Sequence, residues 1–142
     1  MPRILVPLPA AVCFTARMKV QVGDLNYGNH LSNDAVLRLC HETRLRWLLS
    51  LGWNELDAAG AGLIMADAAV QYLAQAYYGE PLRVEMGSAE VGKGGFVLLY
   101  HLVRESDEKS IARVSTGMVC FDYGKQKVCR LPEALKQVLE AV

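Results

Sequence analysis

Arg17, Lys19 and Gln21 alternate with Met18, Val20 and Val22, the two-residue period of a half-buried strand. Beyond a short polar stretch the period becomes helical. From about Ser32 to Leu51, the residues Val36, Leu39, Cys40, Trp47 and Leu51 form one apolar stripe, widened by Leu37, Leu45, Leu48 and Leu49. Ser32 or Asn33 can cap its start, and Gly52 can stop its end. So broad an apolar face suits a helix wrapped by a sheet rather than one lying on a surface. A Gly/Ala-rich connection, Ala58–Gly62, leads into four strand-like runs: about Leu63–Ala76, Leu82–Val91, Phe96–Glu105 and Ser110–Tyr123. Gly92-Lys93-Gly94-Gly95 predicts a hairpin turn and Ser106–Lys109 a second turn. Pro132 can open a short C-terminal helix ending near Val142.

Strand, long helix, then four long strands joined mainly by tight turns make an α+β domain, with one helix against a curved antiparallel sheet. An edge strand would remain free to pair with a second copy. No repeat, low-complexity segment or linker interrupts the 142 residues, which read as a single domain, 1–142. Hydrophobic residues make up 52% of the chain, more than a soluble domain usually carries, which suggests surface buried between subunits. The net charge of +0 offers nothing to a polyanion such as nucleic acid. Cys13, Cys40, Cys120 and Cys129 lack metal-ligand spacing and read as reduced, mostly buried thiols of a cytoplasmic protein. The apolar start, Met1–Phe14, is broken by three prolines and makes a poor signal peptide. No run reaches the roughly 18 apolar residues of a membrane span.

The candidate chemistry lies in the polar stretch. Asp24, Asn26, His30 and Asn33 crowd between the first strand and the long helix. Unpaired N–H groups at a helix start favour negative charge and can polarise a carbonyl. The segment GDLNYGNHLSNDAVLRLCHETR (residues 23–44) resembles the 4-hydroxybenzoyl-CoA-thioesterase-like branch of the hotdog-fold acyl-CoA thioesterases. That branch reads G-D-x-D-x-x-G-H-V-N-N-x-x-Y-L-R-x-x-E-x-A-R, and Gly23, Asp24, His30, Asn33, Leu37, Arg38, Glu42 and Arg44 fall on matching positions. The resemblance implies a hotdog fold, hydrolysis of an acyl thioester carried by coenzyme A or acyl carrier protein, and no metal or other cofactor. It also implies a homodimer or homotetramer with the active site at a dimer interface. Two positions depart from the pattern. Asn26 stands where the catalytic Asp is usual, and an amide cannot ionise. Asn29 replaces a usual Gly.

Thioester hydrolysis needs a stabilised oxyanion, an activated water and a dry acyl pocket. N–H groups near Leu31, Ser32 and Asn33 can serve the first need, an effect worth on the order of 3 kcal/mol per donor in other enzymes. Asn26, His30 and Asp24 are the candidates for holding or activating water; histidine exchanges protons readily near neutral pH. Each has a plainer reading as a residue that shapes the loop. Glu42 sits about 15 Å along the helix. It pairs with Arg46 or Arg38, or reaches a carbonyl bound to a partner subunit. The resemblance implies that the first long strand of the sheet and the helix line the acyl pocket, so Met65 and Tyr72, with Tyr77 and Tyr78 nearby, can line it or simply fill core. Lys93, Arg104 and Arg113 can meet the phosphates of coenzyme A. Two rival readings share the fold. Asp24, Asn26 and His30 also resemble the G-D-x-N-P-x-H of enoyl-CoA hydratases, although the His falls one residue late and the proline is missing. With Asn26 in place of Asp, the protein could instead bind acyl-CoA without cleaving it.

Overall fold

In the computed structural model, which describes residues 3–141, the elements run β1 (Phe14–Lys19), a 3-10 turn (Val22–Asp24), α1 (Asn33–Ser50), β2 (Gly62–Tyr72), β3 (Pro81–Ala89), β4 (Gly95–Arg104), β5 (Lys109–Asp122), β6 (Lys127–Val128) and α2 (Glu133–Glu140). The strands form one antiparallel sheet in the order β1-β3-β4-β5-β2, with the short β6 added to β5. One register row shows how the core is built. Phe14, Met86, Tyr100, Val114 and Val70 stand side by side across the five long strands. Met86, Tyr100 and Val114 belong to the buried apolar cluster, Phe14 and Val70 pack against it, and α1 adds Val36, Leu39, Cys40, Trp47 and Leu48. Burying side chains of this size stabilises by about 1.5–3 kcal/mol each, so the stripe on α1 and the inner face of the sheet hold the two layers together.

Both ends of α1 follow the expected stop signals. Ser32 is the N-cap, its Oγ accepting from the Ala35 N–H at 3.4 Å. At the other end Gly52 takes φ +81°, and the N–H groups of Gly52 and Trp53 close onto the carbonyls of Leu49 and Leu48. Glycine takes that left-handed turn without a Cβ penalty. The apolar face is narrower than the sequence suggests, since Leu49 is 59% exposed. Arg44, on the inner side, is buried instead. Its Nη1 donates to the Tyr100 hydroxyl at 3.2 Å, which in turn bonds Thr116 Oγ1 at 3.0 Å. Arg44 Nε lies 3.5 Å from Glu55 Oε1. A buried cation persists only when paired in this way.

Other boundaries move. The first strand starts earlier and ends at Lys19, and Val22 is 76% exposed in the 3-10 turn. The Gln21 N–H donates to Asp24 Oδ2 at 2.9 Å and the Asp24 N–H returns to the Gln21 carbonyl, a local bond that competes with the ladder. β2 ends at Tyr72 rather than Ala76. Past it, Leu73 and Ala74 both donate to the Ile111 carbonyl, while the Ala76 carbonyl serves Leu31. α2 ends at Glu140; the expected end at Val142 lies outside the described residues. β6 was not legible in the pattern, since two exposed residues carry no period.

Two features frame the site. β2 is an outer strand of the sheet, exposed from Met65 to Ala68 and bulged between Met65 and Asp67. Residues ahead of β1 cross the opposite face. There Val6 is buried, and its N–H donates to Gln71 Oε1 at 3.2 Å. A Cβ at Gly87 would overlap the Ala11 carbonyl oxygen and stand 2.8 Å from Pro9 Cβ, so the bare backbone of β3 is what lets this arm lie down. Cys40 and Cys120 are buried, and Cys13 and Cys129 half-buried; all four are free thiols. Burial pushes the Cys40 thiol up, and Cys120 up to about 11. No described helix is long and apolar enough to cross a membrane.

Candidate active site

The loop between β1 and α1 is held by its own backbone. Asn26 and His30 close a tight turn, the Asn26 N–H donating to the His30 carbonyl at 3.0 Å and the Asn29 N–H to the Asn26 carbonyl at 3.0 Å. Asn29 takes φ 62°. That left-handed conformation favours glycine and tolerates asparagine, which explains how Asn29 stands where the resembling family carries Gly. Gly28 lies between the two polar side chains. A Cβ there would stand 3.2 Å from both Asn26 Oδ1 and His30 Nε2. The two groups therefore converge over a residue that offers them room.

Their free atoms follow from their partners. The Gly28 N–H donates to Asn26 Oδ1 at 2.8 Å, an Asx turn that fixes the amide and leaves its NH2 with no acceptor among the described residues. His30 Nδ1 lies 3.2 Å from the Leu31 carbonyl. A carbonyl only accepts, so Nδ1 carries the hydrogen and Nε2 of the neutral ring is the open base.

The backbone donors at the head of α1 divide unequally. The Leu31 N–H is spent on the Ala76 carbonyl at 2.7 Å, and the Ser32 N–H on the Asp24 carbonyl at 2.8 Å. The expectation that Leu31 and Ser32 offer N–H groups to a substrate is therefore corrected: the loop folds back as two short bridges, Leu25 to Leu31 and His30 to Tyr77, and consumes them. The N–H groups of Asn33 and Asp34 remain, with no acceptor among the described residues beyond the carboxylate of Asp34 itself beside its own N–H. Asp34 brings a negative charge to the same turn. The Ser32 hydroxyl at 2.7 Å, and then Arg38, hold its carboxyl below the usual range.

A cavity of about 300 Å³ opens beside this head, lined by His30, Leu31, Asn33, Val36, Tyr72, Leu73, Ala74, Gln75 and Ile111. Of the residues singled out from sequence, His30, Leu31, Asn33 and Tyr72 meet there. The Tyr72 hydroxyl donates to the Asn33 carbonyl at 2.9 Å. Burial, and then the Asp34 carboxylate, push its phenol up, so it stays a donor. Leu73, Ala74, Gln75 and Ile111 were missed; the first three follow an apparent strand pattern that breaks one residue earlier, and only the tertiary turn brings them to the cavity. Asn26 adjoins His30 without lining the cavity, and Ser32 is occupied as the cap.

Two candidates lie elsewhere. Asp24 borders a separate hollow of about 260 Å³ with Lys19, Arg38, Glu42 and Arg46. Its carboxylate accepts from the Gln21 N–H and lies 3.6 Å from Arg38 Nη2. Met65 opens with Leu37, His41, Arg44 and Thr116 onto a third hollow, of about 180 Å³. Glu42 pairs with Arg46 at 2.6 Å. Arg104 is not available to a phosphate: Asp107 and the Gln75 carbonyl hold it. Among the described residues, no group of three His, Cys, Asp or Glu side chains is placed to hold a metal.

Known proteins share this fold. Residues 20–139 match the family model of the Thioesterase-like superfamily. The 1,4-dihydroxy-2-naphthoyl-CoA hydrolase of Synechocystis is 25% identical over 124 residues, 84% of this chain and 89% of that protein. Among solved structures, the 1,4-dihydroxy-2-naphthoyl-CoA thioesterase of Synechocystis superposes with a TM-score of 0.80 at 22% identity, covering 89% of this chain and 94% of that one. A gentisyl-coenzyme A thioesterase superposes with a TM-score of 0.77 at 18% identity, covering 88% and 98%. Those likenesses give the hotdog fold, and the match across 20–139 gives the membership: this chain belongs to the thioesterase-like superfamily.

Proposed function

We propose that this protein is an acyl-CoA thioesterase that hydrolyses a small or medium acyl thioester to the free acid and coenzyme A. The observation that carries the reading is the cavity at the head of α1, where His30 and Asn33 meet beside two unspent N–H groups. In this reading the thioester carbonyl points at the N–H groups of Asn33 and Asp34. Water sits over Gly28, held by Asn26. His30 Nε2 takes a proton from it as its oxygen attacks the carbonyl carbon. The C–S bond then breaks, and the departing sulfur receives the proton from His30. Acid and thiol are released, and the charge on the tetrahedral oxygen rests on the helix start throughout. Asp24, tied to Gln21 and Arg38, shapes the loop.

The same reading makes the protein a single hotdog domain working in the cytoplasm as a homodimer, or a pair of dimers, with acyl carrier protein as a second carrier. Support comes from four free thiols and from the open edge of β2, where Met65 is 44% and Tyr72 50% exposed. Sedimentation giving only a monomer at working concentration would refute the assembly. For the chemistry, Asn26→Ala is expected to lower kcat for thiol release roughly tenfold or more while the melting temperature moves little. Unchanged turnover would remove Asn26 from the mechanism.

A further inference from the structure

We propose that Gln75 is a specificity-determining residue: its side-chain amide donates a hydrogen bond to an oxygen carried on the acyl group, so oxygen-bearing acyl thioesters are selected over plain hydrocarbon ones. This rests on the reading of the His30–Asn33 cavity as the acyl site.

Gln75 lines that cavity and is anchored from two sides. The Tyr77 hydroxyl donates to Gln75 Oε1 at 2.7 Å. Arg104 Nη1 donates to the Gln75 backbone carbonyl at 2.9 Å, and Arg104 is itself held by both carboxylate oxygens of Asp107, at 3.0 and 2.9 Å. With Oε1 occupied, the amide presents Nε2, whose two N–H groups have no acceptor among the described residues. The walls nearby are Leu31, Val36, Leu73, Ala74 and Ile111, none of which offers a side-chain acceptor.

A hydrocarbon acyl group covers those walls but strips water from Nε2 and leaves its N–H groups unpaired, which costs free energy. A hydroxyl or carbonyl oxygen at that point restores the bond. Sites built to hydrogen-bond a substrate oxygen reject the analogue lacking it. Gln75 is exposed at the rim of the cavity, so a preference of about tenfold is expected rather than the roughly 10⁴ of a sealed site. The anchoring matters because a donor already held in place loses little entropy on binding.

The experiment compares matched acyl-CoA pairs: benzoyl against each monohydroxybenzoyl, and hexanoyl against 3-hydroxyhexanoyl. The readout is the ratio of kcat/KM within a pair, by thiol release. Wild type is expected to favour at least one oxygen-bearing member about tenfold. Gln75→Leu should bring that ratio to about one, and Tyr77→Phe should lower it partway by freeing the amide. A wild-type ratio near one for every pair, or a ratio that survives Gln75→Leu, overturns the proposal. The same ratios are read as Kd by isothermal titration with uncleavable thioether analogues. Absence of any thiol release would defeat the hydrolytic reading, while those Kd ratios would still decide the role of Gln75.

Discussion

The two hollows on either side of α1 are close in size, about 300 and 260 Å³, and opposite in chemistry. On one side Lys19, Asp24, Arg38, Glu42 and Arg46 supply many charges. Glu42 takes Arg46, and Asp24 and Asp34 share Arg38. On the other side His30 is the one side chain of the lining with a free base nitrogen, set among apolar walls and unspent N–H groups. Apart from Lys19, the charges of this hollow are already paired, and exposed pairs of this kind contribute little. The poorer one retains donors and a base with nothing of the protein's own to bind. Reactivity here follows what is left unpaired, not how much charge is gathered.

The contrast can be broken most directly at His30. His30→Gln is expected to lower kcat by about 100-fold or more, with a melting temperature within a few degrees of wild type. Gly28→Ala, which crowds Asn26 and His30 from between, should lose roughly tenfold by the same assay. Normal turnover in both would empty this hollow of chemistry.

The buried network of α1 tests whether stability and activity are separate along the helix. Tyr100→Phe leaves Arg44 and Thr116 without the shared hydroxyl and is expected to cost about 2 kcal/mol, read by denaturant titration, with little change in kcat. Burial pushes the Tyr100 phenol up to about 12. The neutral phenol is the folded form's choice, so its contribution is complete below pH 10 and is lost as pH rises towards 12. Wild type should therefore lose stability more steeply than Tyr100→Phe over that alkaline window. Parallel curves would show that folding leaves the ionisation of this phenol unshifted.

The smallest effect is expected on the charged side. Asp24→Asn should cost about 1 kcal/mol of stability and leave kcat within about threefold. A hundredfold loss of turnover would return Asp24 to the chemistry and erase the difference between the two hollows.

Much of this layout was legible without coordinates. The stripe on α1, its Ser32 and Gly52 boundaries and the long β strands all follow from periods of 3.6 and two, which local sterics impose. The polar loop was legible too, because Asp24, Asn26, His30 and Asn33 fall within one short segment. Their division was not. Asp24 and His30 are six residues apart, yet the Asx turn at Asn26 and the left-handed Asn29 send them to different hollows. Gln75 was invisible as a site residue because an alternating pattern cannot show where a strand leaves its ladder.

By itself the sequence determined the order of the two helices and the five long strands, the caps of α1 and the residue types available to a thioesterase site, since these depend on neighbours along the chain. Tertiary structure decided which N–H groups stay free. Leu31 and Ser32 spend theirs on the distant Ala76 and the folded-back Asp24, while Asn33 and Asp34 do not. A hydrogen bond of that kind needs an acceptor brought near by packing, and no local pattern specifies it.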